Sequence, residues 1–192
     1  AVPRPQRLKA GIREVLCRLT AADAEAVYEA IRLAEPGGLG SADQMDVAET
    51  APESLLAAMA AAAGRDLVAR QYAEDFVHVL DHVAPWLVEG HAAGWPLTDA
   101  VVYAQLRALE AWPDSLIARK CGLAVAERAS GLARRVLKAG SPGDEAYYDE
   151  LGELDFWMRS DGHRRNPGTT ADLIAAGLFV VLREALIPPP FR

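Results

Sequence analysis

The sequence predicts an all-α fold. Alanine and leucine are abundant, apolar positions recur at three- and four-residue spacing through most of the chain, and the alternation of a half-buried strand is nearly absent. Its 192 residues suffice for one substantial domain. The expectation is therefore a single helical bundle of about seven or eight helices over residues 1–192.

Thr20, with Asp23 three residues on, opens a helix over Ala21–Ala34 as a capping box, and the loop EPGGLG closes it. A second helical run follows Pro52 through ESLLAAMAAAA. Gly64 separates it from RDLVARQYAEDFVHVLDHV, which Pro85 ends or kinks, because proline lacks an amide hydrogen and crowds the preceding turn. Thr98 caps DAVVYAQLRALEA, and Pro113 breaks the chain again. Directly after it, Asp114 caps a long helix running to about Lys138 and complements its dipole. GSPGDE is a loop, and a shorter helix over roughly Ala146–Arg159 leads into SDGHRRNPG. There Thr169 and Asp172 form a second capping-box pattern, Gly168 allows a sharp turn and Pro167 stiffens the approach. A strongly apolar helix follows, ended by IPPPFR.

Apolar residues make up 51% and charged residues 24%, the balance of a globular chain. A net charge of −7 argues against general attraction to nucleic acid or anionic lipid, so a polyanionic ligand requires a local basic pocket. Cys17 and Cys121 are too few and too far apart for a disulfide framework or a zinc cage. The longest greasy run, Leu173 to Leu182, meets Arg183 and Glu184 well short of the ~20 apolar residues that span a bilayer. No signal peptide is legible, and the expected setting is the cytoplasm with no membrane span.

Three segments join a turn to carboxylates or hydroxyls: GGLGSADQMD at 37–46, WPDSLIARKCG at 112–122 and RRNPGTTAD at 164–172. The last reads as a well-made helix start. It also offers amide groups, Thr169 or Thr170, and the cations Arg164 and Arg165 to a phosphate, with a divalent cation between that phosphate and Asp172. Asp114 reads as a cap, yet with Arg119 and Lys120 one turn later it also forms an anion and metal site. Asp43, Asp46 and Glu49 read as solvent-facing acids or as a metal site. His78 and His82, four apart with Asp75 nearby, share a helical face, which suits either a polar stripe or a metal. Tyr72, Phe76, Trp86, Trp95 and Trp157 belong to core or interface, and Cys121 reads as a buried small residue.

In order and content the three segments resemble the triphosphoribosyl-dephospho-CoA synthase family, an all-helical group of transferases. RRNPGTTADLIAAGLF is the most specific match, similar to the family's closing asparagine, proline, glycine, small hydroxyl, alanine, aspartate, leucine motif. GGLGSAD stands where the family has a glycine-rich acidic loop. In the middle segment Ser115 and Leu116 follow Asp114 where the family has threonine and asparagine, and Cys121 stands near the first of two family glycines. The chain looks like the last two thirds of the family's length, closest to a branch associated with pterin-dependent one-carbon metabolism.

The resemblance implies transfer of the triphosphoribosyl group of ATP to the 2′-hydroxyl of dephospho-CoA with release of adenine. It implies Mg2+ as cofactor, Asp114, Asp172 and Asp43 as catalytic carboxylates, and Asp114, Asp172 and Asp46 around the metal. Arg119, Lys120, Arg164, Arg165, Asn166, Gly168, Thr169 and Thr170 become the substrate-binding set, and the three loops are expected to converge in one acidic and basic pocket. Two other readings stand beside it. One is a related enzyme of one-carbon cofactor assembly with another substrate, of the tetrahydromethanopterin or methanofuran type. The other is a non-catalytic helical subunit, homo-oligomeric or paired with a chain that supplies the missing front portion.

Overall fold

The structure is a computed structural model that describes residues 4–35, 40–189 and 191. Among the described residues the chain forms ten α-helices and one π-helical turn and no strand, so the class is all-α and the helix count exceeds the seven or eight expected. The chain divides after Val77 into two compact units.

The first unit contains α1 (Arg4–Leu16), α2 (Ala21–Ala34), α3 (Leu55–Ala62) and α4 (Leu67–Ala73). The capping box forms as expected: the Asp23 amide donates to Thr20 Oγ1, and the Thr20 amide donates to Asp23 Oδ2 at 2.7 Å. The Thr20 amide, with the Thr20 hydroxyl also donating to Asp23 Oδ2 at 2.7 Å, holds the Asp23 carboxyl below its ordinary pKa. Glu35, at φ 43°, ends α2; most of the loop expected to close it, residues 36–39, lies outside the described residues. Ser54 and Asp66 cap α3 and α4 through their side chains, and the two helices pack on each other. Asp75 and Phe76 then adopt positive φ, which stops the run expected to continue from Arg65 to Val83. An ion pair of 2.7 Å joins Asp75 to Arg13 of α1.

The second unit holds a π-helical turn (Val79–Val83), α5 (Ala84–Ala92), α6 (Leu97–Ala111), α7 (Ser115–Cys121), α8 (Leu123–Ala139), α9 (Glu145–Arg159) and α10 (Gly168–Arg183). Pro85 does not end the helical path. It sits in the first turn of α5, where a missing N–H is tolerated, and the widened turn before it carries the irregularity. Thr98 is not the cap of α6. Pro96 takes that position in extended geometry, with the Trp95 ring against Tyr103 at 4.8 Å, and the helix begins at Leu97. The long helix expected from Asp114 to Lys138 is two helices, because Gly122 adopts φ 94° and ψ 153° between them.

A buried cluster gathers Leu106 and Leu109 of α6, Ile117 of α7, Ala126, Ala129, Ala133 and Val136 of α8, and Tyr147 and Leu154 of α9. The small alanines of α8 let α6 and α9 approach it on either side. α10 packs on the π turn, α5, α6 and α7. Gly177 permits that contact, since a Cβ there would come within 2.5 Å of Val83 Cγ1. Among the described residues no helix is long and apolar enough to cross a membrane.

Candidate functional site

The site is built where the starts of α7 and α10 meet. Pro113 stops α6 from continuing, and Asp114 caps α7: its Oδ1 accepts the amides of Leu116 at 2.9 Å and Ile117 at 3.0 Å. Its Oδ2 turns to α10. There it accepts the Thr170 amide at 2.7 Å and the hydroxyls of Thr169 and Thr170, both at 2.8 Å. Asp114 and Thr170 are completely buried, and Thr169 is nearly so. Five donors thus meet a carboxylate with about four lone-pair positions.

Ser115 completes the network, donating its amide and its hydroxyl to Thr169 Oγ1, each at 3.2 Å. The capping box expected from Thr169 and Asp172 does not form. α10 starts at Gly168 behind Pro167 with no side-chain cap, because both threonine hydroxyls are spent on Asp114. The amides of Gly168 and Thr170 are also taken, by Asn166 O and Asp114, so less of this helix start is open to an anion than the sequence suggests. Gly168 lies against Leu116, whose Cδ2 would stand 2.5 Å from an added Cβ.

The segment before α10 runs back along α7. Arg164 donates to Lys120 O at 3.4 Å, and Cys121 Sγ lies 3.6 Å from Arg164 O. This brings the exposed side chains of Lys120 and Arg164 to one end of α7, with half-buried Arg119 beside them in sequence. Arg165 differs from its neighbour. It pairs with Asp161 at 3.0 Å, donates to Trp157 O at 2.7 Å and stacks 4.5 Å from the Trp157 ring, so its guanidinium holds the loop. Asn166 and Asp172 are exposed.

The family of ATP:dephospho-CoA triphosphoribosyl transferases, CitG, matches residues 1–189. The chain belongs to this family. A solved relative is the "putative triphosphoribosyl-dephospho-CoA synthase" of Archaeoglobus fulgidus, with a TM-score of 0.68 and 29% identity over 91% of this chain and 71% of that one. No curated protein is matched.

In this transferase family's terms, two of the three motif segments, 112–122 and 164–172, come together in the second unit. The third belongs to the first unit, with residues 37–39 outside the described residues. Asp43 is exposed there. Asp46 accepts the Ala48 amide at 2.8 Å and the Ala42 amide, and those bonds hold its carboxyl below the ordinary range. Among the described residues no group of three or more His, Cys, Asp or Glu could hold a metal. His78 and His82 instead pack edge-on against Trp112, at 4.5 and 5.4 Å.

Sequence reading missed Ser115, whose role depends on a residue 54 positions away. It also missed the fit of Leu116 to Gly168. That contact gives the departure from the family's asparagine a physical reason: an apolar side chain covers the bare glycine at the start of α10.

Proposed function

We propose that the chain is a transferase that moves the triphosphoribosyl group of ATP to the 2′-hydroxyl of dephospho-CoA. The bond between ribose C1′ and adenine N9 breaks, a bond between C1′ and the acceptor O2′ forms, and the hydroxyl proton leaves with adenine. What supports the reading is the family match over residues 1–189, with two motif segments joined at one buried carboxylate.

Positive charge develops on the ribose as the glycosidic bond breaks, so a nearby carboxylate lowers the barrier. Asp172, exposed just past the first turn of α10, takes that role in our reading, and Asp43 is the second candidate. Asp114 is a positioning residue: its oxygens are filled, and it sets the two helix starts that carry the others. Lys120 and Arg164 bind phosphate oxygens with Arg119, and Asn166 adds hydrogen bonds. Arg165, Gly168, Thr169 and Thr170 shape the loop.

Mg2+ fits this set as a cation shared between substrate and protein, because it is commonly held by one or two carboxylates plus phosphate oxygens. Asp172 would hold it, whereas the oxygens of Asp114 are already filled. Bound there, it would neutralise triphosphate charge. The setting we propose is the cytoplasm, where ATP is plentiful.

Asp172→Asn should lower kcat about 100-fold in protein that still folds, as read by its helical circular dichroism. Asp114→Asn should lower midpoint and activity together, by about 2–4 kcal/mol in stability, since an amide nitrogen cannot accept the bonds now made. Wild-type turnover in Asp172→Asn would remove Asp172 from the mechanism.

A further inference from the structure

A groove of about 560 Å³ runs between α6 and α9. That volume lies within the roughly 300–1,000 Å³ usual for small-molecule sites. Its walls are apolar, with Leu106 and Leu109 from α6 and Leu151 and Met158 from α9. Buried Pro167 also lines it, and the next residue in the chain, Gly168, starts α10.

Two features distinguish it from a gap in packing. Gln105 stands half-buried in its wall, and its side chain makes no hydrogen bond to another described residue. Gly152 lies mid-way along α9, where glycine weakens a helix. A Cβ there would meet nothing within 4 Å, so close packing does not call for the glycine; the missing side chain leaves the groove open.

We propose that this groove takes the pantetheine arm of dephospho-CoA, an assignment that rests on the transferase reading above. The arm carries a dimethyl carbon, a hydroxyl, two amides and a thiol along about twelve bonds, the length of roughly four extended residues, or ~14 Å. From Tyr148 to Arg159, both of which line the groove, α9 rises ~16 Å. Apolar walls cover the methyl and methylene groups, and the Gln105 amide both donates to and accepts from an arm amide. The Tyr148 hydroxyl donates to Asp99 at 3.3 Å and keeps its capacity to accept. Arg159 pairs with Asp155 through Nε at 2.8 Å, which leaves its Nη groups for the diphosphate.

The test is direct binding of dephospho-CoA and of ADP, which has the nucleoside diphosphate without the arm, to wild type, G152A, G152F and Q105A. Filling the groove in G152F should weaken dephospho-CoA about tenfold or more and leave ADP unchanged, because only the arm loses its surface. Q105A, which keeps the groove open, should weaken dephospho-CoA several-fold and leave ADP unchanged, and it keeps the test decisive if G152F misfolds. G152A should bind both ligands as wild type does. Equal dephospho-CoA affinity in wild type and Q105A or a folded G152F would overturn the assignment, as would wild-type binding of dephospho-CoA no tighter than ADP. Arm-dependent binding without triphosphoribosyl transfer would overturn the transferase reading and leave the groove assignment standing.

Discussion

Asp114 shows at the scale of one residue how a local signal and a distant one are combined. Its place after Pro113 marks it as a cap, and its Oδ1 does what the sequence predicts. The bonds to Thr169 and Thr170 cross 55 and 56 positions. Sequence spacing cannot display such partners, so the threonines look like a cap for their own helix. Tyr147 is the opposite case, a buried hydroxyl without a hydrogen-bond partner among the described residues. Burial, with the charges of neighbouring groups, raises its pKa, so it stays neutral and unsatisfied. Tyr147→Phe removes a stranded polar atom and keeps the ring in the core, so it should raise unfolding stability by about 1 kcal/mol in urea titration.

At the scale of elements, glycine decides what periodicity leaves open. The apolar pattern runs without interruption across Gly122, Gly131 and Gly152, and an isolated glycine within such a pattern is usually tolerated. Gly131 and Gly152 do lie inside α8 and α9. Only at Gly122 does the chain turn to positive φ, and only the fold distinguishes it. Two of the extra helices arise in this way and from the positive φ at Asp75 and Phe76; the third, α1, precedes the first helix read from the sequence. Helix class and the α2 box were legible because they depend on neighbours three and four residues apart. Gly90 of α5 has a different function, close approach: a Cβ there would stand 2.7 Å from Ala100 Cβ and 3.0 Å from Ala100 Cα in α6. Neither atom can swing away. Gly90→Ala should therefore cost about 1–3 kcal/mol in the urea titration despite alanine's better helix propensity.

Across the whole molecule, the charge of −7 makes local cations the feature to explain. Lys120 and Arg164 meet at one end of α7 because the segment before α10 folds back along that helix. The candidate site was legible as three ordered segments, and the fold joins two of them in the second unit. It also divides their residues by duty: Asp114, Thr169 and Thr170 hold the frame, while Lys120, Arg164, Asn166 and Asp172 face outward. That division was hidden in the sequence, because burial separates residues that are adjacent in the chain. The most direct test of the account is mass spectrometry of the nucleotides after incubation of the protein with ATP, Mg2+ and dephospho-CoA. The account predicts dephospho-CoA heavier by one triphosphoribosyl group, with free adenine released one for one. ATP consumed to ADP or AMP without free adenine, or dephospho-CoA left unchanged, would contradict it.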